Sequence, residues 1–337
     1  MDRSEYLAKR LNTIDVQPRS VAGLLDAMAQ TGFQGKSLAN CLDVLVNMLR
    51  EPKNTIFLGY AGSMSTTGQW KIVKWLIEHR YIDVLVSTGA NVSEDLFEAL
   101  GYSYYQGSHL ASDTDLLEKQ IDRYYDVYAD ELQYRKMERF IYDFMAGMDT
   151  SLHYSSAEFL HLFGKHQDEQ GIDSITSAAY RAGVPIFSPA LADSGYGVAA
   201  YLLEKERGIR VTLDQFKDFS QLGEIGTRAG TTSVVYIGGG VPKDTIQLVT
   251  VMVDLARGGE ETYPHKYAVQ ITTDSPQWGG LSGCTFEEAI SWGKIDQHGK
   301  RAVCYCDATI ALPLLSHALL ERAPDARDAP DFGWLFR

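Results

Sequence analysis

The decapeptide EEAISWGKID, residues 287–296, delivers one lysine just behind an indole and a carboxylate. Glu288 and Trp292 are four residues apart and so share one face of a helix. Thr285, with Glu288 three residues on, has the spacing of a capping box that starts this helix. Gly293 is placed to cap its end, so Lys294 emerges beside Trp292. A lysine amine in a dry pocket is a nucleophile toward a carbonyl or imine. An indole face and a carboxylate together hold a cationic amine. A surface lysine after a core tryptophan has the same spacing, so the decapeptide alone leaves both readings open.

A second group of residues gathers after six short apolar segments. AGSMSTTG follows residues 55–60, TGANVSED follows 82–87, and PALADSGYG follows 184–188. GGGVPKD follows 233–237, TDSPQWGGLSG follows 267–272, and DAT follows 302–306. Glycine lets backbone N–H groups approach a ligand closely, and a helix N-terminus favours phosphate. The repetition describes a crevice. No single member is diagnostic: none is G-x-G-x-x-G. Gly238-Gly239-Gly240 also fits a tight strand–helix turn, and Asp193 and Asp307 also fit helix N-caps.

The elements that must position these residues follow from periodicity. Segments 55–60, 82–87, 184–189, 233–238, 267–272 and 302–306 are near-continuous apolar runs. Helical patterns lie between most of them, at 69–80, 92–100, 242–257 and 309–321. Apolar strands alternating with helices predict a doubly wound α/β fold. Its sheet is six-stranded and mostly parallel, with a ligand crevice at the strand C-terminal ends. Residues 1–54 read as an N-terminal helical extension, with Val21, Leu24, Leu25 and Met28 at helical spacing. Residues 55–325 form the catalytic domain. A tyrosine-rich helical insertion is expected at about 113–165, and a tail at 326–337.

The net charge is −13, which argues against a nucleic-acid partner and suits a cationic ligand or plain solubility. No apolar run reaches the roughly 20 residues a membrane helix needs. The N-terminal stretch MDRSEYLAKRLNTIDV is polar, so a cytoplasmic location is expected. Cys41, Cys284, Cys304 and Cys306 form no C-x-x-C pair and read as free thiols. No histidine spacing indicates a metal, and His161 and His166 read as surface residues.

WGKI at 292–295, with EEAIS before it and CDATIALPLL after it, resembles the deoxyhypusine synthase family. So do TGFQ (31–34), FLGYAGS (57–63), DVLVSTGANVSEDL (83–96), VPIFSPALADS (184–194) and IGGGVPKD (237–244). The matches run in order from about residue 21 to 320. The resemblance implies a Rossmann-like fold, NAD as cofactor, and a homotetramer with active sites at subunit interfaces. It implies that Lys294 captures an aminobutyl group as a covalent imine, and that Glu288 and Trp292 line the amine pocket. It assigns Ser63, Thr88, Gly89, Ala90, Glu94, Asp193, Gly238, Gly239, Gly240, Thr273, Asp307 and Ala308 to NAD.

The sequence departs from the family at the amine pocket. Val198 and Leu281 stand where aspartates are expected, and Asp244 stands where a histidine is expected. The family's small-residue turn reads Thr88-Gly89-Ala90-Asn91. The cofactor half is kept and the substrate half rebuilt, a pattern resembling the divergent, mainly bacterial branch. The expected activity is NAD-dependent aminobutyl transfer between small polyamines, in the manner of homospermidine synthase. Two alternatives stay open: a true synthase modifying a protein lysine, and a catalytically silent NAD-binding subunit.

Overall fold

The computed structural model describes residues 2–324 and 327–336, so the boundary expected at 325–326 lies outside the described residues. Six strands form one sheet: β1 (Asn54–Tyr60), β2 (Val84–Ser87), β3 (Ile186–Phe187), β4 (Thr231–Ile237), β5 (His265–Thr272) and β6 (Ile295–Tyr305). Their spatial order is β6-β5-β4-β1-β2-β3, and every pairing is parallel. The order reverses between β1 and β4. That reversal creates a crevice outside the strand carboxyl ends, where doubly wound sheets bind ligands.

Each expected apolar run contains a strand, but the bounds differ for physical reasons. Residues 184–189 yield only Ile186 and Phe187, because Pro185 and Pro189 cannot donate to a ladder. β6 begins seven residues before the expected 302, at Ile295, since its first pairing precedes an excursion of the chain. Ile295 lies opposite His265 and Lys300 opposite Tyr267. Gly299 makes that excursion possible: a Cβ there would sit 1.9 Å from the Lys266 carbonyl oxygen.

The sheet is buried on both faces. In β1, Ile56, Leu58 and Tyr60 enter one core and Phe57 enters the other. The first core is shared with the helices Val21–Met28, Phe33–Arg50, Trp70–Glu78 and Ala308–Arg322. The N-terminal helices therefore close a face of the sheet. The second core takes the helices Gln215–Arg228, Gly240–Ala256 and Phe286–Ser291, plus Phe332 and Leu335 from the C-terminal segment. That segment is anchored by Arg327, whose Nη1 lies 2.8 Å from both Asp83 carboxylate oxygens. Phe336 stacks on His161 at 3.8 Å, so this histidine is half-buried and not the surface residue its sequence context suggests.

The span 113–165 is only partly helical. The helices Asp113–Glu118 and Glu131–Ala146 flank a hairpin of Ile121–Tyr124 and Val127–Asp130, and Tyr105–Gln106 adds a third antiparallel strand. Tyr125 takes a positive φ of 55° at the hairpin turn. The segment IDRYYDVYAD is rich in β-branched and aromatic residues, which favour the pleated arrangement over helix.

Candidate functional site

The strand ends converge as the six loops suggest. A cleft of about 550 Å³ lies over the switch point. Ser63, Thr88, Asp193, Gly238, Gly239, Gly240, Thr273, Asp307 and Ala308 all line it. Leu281, expected in the amine pocket, lines it too.

The glycine turn is built by close approach of two backbones. A Cβ on Gly239 would meet the Leu281 carbonyl oxygen at 2.2 Å. The Gly240 N–H donates to that same oxygen at 2.5 Å. Gly238 and Gly240 have φ of 75° and 57°, the left-handed region that favours glycine. The 17-residue helix Gly240–Ala256 then starts at the cleft, presenting its positive end.

The two aspartates resolve differently. Asp307 is an N-cap: its Oδ1 accepts from the Thr309 N–H at 2.7 Å. Its side chain is exposed at the cleft, so capping and ligand contact are compatible. Asp193 is not a cap, because Ser194 fills that role by accepting from Tyr196 N–H. Asp193 is left exposed on the cleft wall.

Gly89, Ala90 and Glu94 lie outside the lining. Gly89 is a spacer: a Cβ there would sit 2.7 Å from Ser194 Oγ and 2.8 Å from the Leu191 carbonyl. Ala90 leads into the helix Asn91–Ala99. Asn91, which sequence reasoning passed over, ties the loops together. Its side chain accepts from Met64 N–H at 2.7 Å and donates to the carbonyls of Tyr60 and Ala61 at 3.2 Å.

Glu94 is buried behind Ser63, whose hydroxyl donates to it at 2.6 Å. Burial pushes its carboxyl up to about 7; the Ser63 bond opposes this and the Asp95 charge adds to it. The folded pKa lies above the unfolded one, so this group's stabilising contribution is complete below about pH 4.5 and lost as pH rises through 7. Glu94→Gln removes that loss. Without nucleotide, the variant is expected to exceed the parent in stability by about 1–3 kcal/mol at pH 8, and to gain almost nothing at pH 4. Urea unfolding at the two pH values checks this; equal gains at both would show that Glu94 does not titrate in this range.

The lysine region is built as the spacing predicts, with one change. Thr285 Oγ1 accepts from Glu288 N–H at 3.0 Å, but Glu288 itself is exposed rather than turned back onto the cap. The helix Phe286–Ser291 ends in a Schellman turn. Gly293 N–H donates to the Ile290 carbonyl, and Lys294 N–H donates to the Ala289 carbonyl, both at 3.0 Å. Gly293 has φ of 67°. Lys294 Nζ lies 5.1 Å from the Trp292 ring centre, within cation–π range. Trp292 is not core: it is 65% exposed.

Lys294, Trp292 and Glu288 do not line the cleft. The Lys294 carbonyl accepts from His265 N–H, at the start of β5. The cleft lies at the other end of β5, an eight-residue strand spanning roughly 25 Å. Asp244 is exposed near the start of Gly240–Ala256, 3.4 Å from where a Gly283 Cβ would be. Val198 sits apart, exposed on the helix Gly195–Arg207. Among the described residues, no cluster of three or more His, Cys, Asp or Glu is arranged to hold a metal, and no helix is long and apolar enough to cross a membrane.

The chain is similar to known proteins over most of its length. The family model described as deoxyhypusine synthase matches residues 23–319. "Probable deoxyhypusine synthase 2" of Methanosarcina mazei is 46% identical, over 95% of this chain and 93% of that protein. "Deoxyhypusine synthase-like protein" of Chlorobaculum parvum is 37% identical, over 94% of this chain and 91% of its own. A crystal structure of a deoxyhypusine synthase candidate from Entamoeba histolytica shares the fold. Its TM-score is 0.65 at 16% identity, covering 94% of this chain and 99% of that one. With the glycine turn, the lysine helix and the sheet order in place, the chain belongs to the deoxyhypusine synthase family.

Proposed function

We propose that this protein is an NAD-dependent transferase that moves an aminobutyl group between small polyamines, with Lys294 carrying the group as a covalent imine. Family membership implies NAD-dependent aminobutyl transfer. The choice of small polyamines as donor and acceptor rests on the altered positions Val198, Leu281 and Asp244, and on the acidic charge of −13.

The cleft fits a dinucleotide. The start of the helix Gly240–Ala256 faces the cleft, and its positive end suits a pyrophosphate. The carboxylates of Asp307 and Asp193 suit sugar hydroxyls, and Glu94 stands behind Ser63 as a further acceptor. Ser63, Thr88, Thr273 and Ala308 complete the wall, while Gly89 and Ala90 shape it from behind. Bound there, NAD supplies a hydride acceptor for the carbon beside an amine nitrogen and later returns that hydride. The chain's own part is transimination. Lys294 Nζ bonds to the imine carbon and releases the donor's remaining amine. The acceptor amine then displaces Nζ, leaving the lysine free. Trp292 and Glu288 hold the cationic end of the amine.

The observation that carries the arrangement is that Lys294, held at the start of β5, lies outside the cleft lining. It supports a site completed by a second copy, with the lysine of one chain serving the cofactor of another. Trp278 (76% exposed), Leu281 (80%) and Trp292 (65%) support the same reading. Burying each would gain about 1.5–3 kcal/mol. A homotetramer with interface sites, acting in the cytoplasm, fits.

The test is borohydride trapping after incubation with NAD and, separately, putrescine, spermidine or agmatine. We expect a stable mass increase on the peptide carrying Lys294, its size naming the donor. No adduct with any amine, while NAD still binds, would overturn the reading in favour of a silent subunit. The names of the archaeal relatives favour one second reading, in which a protein lysine accepts the group. Label passing from spermidine to a protein, and not to small amines, would establish it.

A further inference from the structure

Lys243 follows the glycine turn, in the first turns of the helix Gly240–Ala256, and its side chain is entirely buried. A buried lysine is rare and needs compensation. Here the compensation is complete. Nζ donates to Gln270 Oε1 at 3.0 Å, to the Ser282 carbonyl at 2.7 Å and to the Cys284 carbonyl at 2.6 Å. Three acceptors match the three donors of an ammonium, whereas a neutral amine would turn its lone pair onto one of them. Tyr236 and Phe286 flank it, their ring centres 5.6 and 5.7 Å from Nζ.

Two of the three acceptors belong to one loop. Ser282 lines the cofactor cleft, Cys284 precedes the cap Thr285, and Thr285 starts the helix that ends at Lys294. Gln270 belongs to β5 and also donates to the Ser282 carbonyl and the Gly238 carbonyl. The loop carries exposed Trp278 and Leu281 and has little core of its own. Without the ammonium, two carbonyls and an amide oxygen would be buried without this donor, which favours opening the loop.

We propose that Lys243 is a positioning residue for Lys294: its ammonium ties the loop Ser282–Cys284 to β5 and so fixes the entry, and hence the end, of the lysine helix. This rests on the reading of Lys294 as the nucleophile. Lys243 does not touch the substrate. Its effect is carried by the loop and the six-residue helix Phe286–Ser291.

Lys243→Met keeps length and apolar bulk and removes the charge. We expect hydrogen exchange of the amides in 281–294 to rise at least tenfold, with β1 and β4 unchanged. We expect the rate of borohydride-trapped adduct formation at saturating amine to fall about a hundredfold. The amine KM is expected to stay within about twofold while the trapping rate falls, a split that general destabilisation would not produce. Gln270→Leu retains the lysine and removes one acceptor, so the same changes should appear, smaller, and it serves if Lys243→Met does not fold. Faster exchange with an unchanged trapping rate, or no change in either quantity for Gln270→Leu, would overturn the proposal. If the parent protein traps no amine, the nucleophile reading fails, while the exchange result still reports on the strut.

Discussion

Lys294→Arg and Asp307→Ala chains, each inactive when made alone, should recover about a quarter of parental activity when co-expressed in equal amounts. Lys294→Arg keeps the positive charge beside Trp292 but offers no amine for imine formation, so transfer should fall at least about a thousandfold. Nucleotide binding should survive, because Lys294 is outside the cleft lining. Asp307→Ala removes a cleft carboxylate and a helix cap at a cost of about 1 kcal/mol, but leaves the lysine helix untouched. If each site joins the cleft of one chain to the lysine of another, a mixed pair contains one site with both parts intact and one lacking both. Random mixing makes half the pairs mixed, which gives the expected fraction. Adduct trapping on the mixed protein measures it. A mixture as inactive as its components would show that each chain builds its own site from a cleft and a lysine that lie apart along β5.

That separation marks the limit of what the sequence tells. The apolar run of β1 and the small residues after it are local signals, and both translate directly into a buried strand and a cleft wall. Gly293 is legible as a helix end because only a left-handed residue closes the Schellman turn there. Spacing puts Trp292 beside Lys294 because both lie on one turn. It cannot place Lys294 relative to Asp307, because the intervening β6 separates them across the whole sheet. The hairpin at 121–130 escaped because its short strands carry tyrosines that also fit a helical stripe. Lys243 escaped for a different reason. Lysine is ordinarily a surface residue, and the carbonyls that hold Lys243 lie about forty positions away, with no sequence signature. The altered amine pocket is legible as composition at Val198, Leu281 and Asp244. Its shape is not, since Leu281 lies at the cleft while Val198 is exposed on a separate helix.

Among the three consecutive glycines, the middle one should be the least replaceable. Gly239 has φ of −163°, outside the left-handed region, so its requirement is not a positive φ. It is spatial: an alanine Cβ would lie 2.2 Å from the Leu281 carbonyl oxygen and 2.8 Å from Ser282 backbone atoms. Those atoms cannot rotate away as a side chain would. Gly240 is the opposite case, with φ of 57° and nothing within 4 Å of its Cβ position. Gly240→Ala should cost about 1 kcal/mol of backbone strain and little cofactor affinity. Gly239→Ala must push the loop 281–282 off the turn, breaking the Gly240 N–H bond to Leu281 and loosening the carbonyls that Lys243 holds. The expected result is a loss of at least a hundredfold in NAD affinity, about 2.7 kcal/mol, with a parallel loss of adduct formation at Lys294. Calorimetric titration of NAD into both variants decides between space and conformation. If Gly240→Ala proves the more damaging, left-handed backbone rather than close approach governs the turn, and the coupling from the cofactor cleft to the lysine helix through Leu281 and Ser282 falls with it.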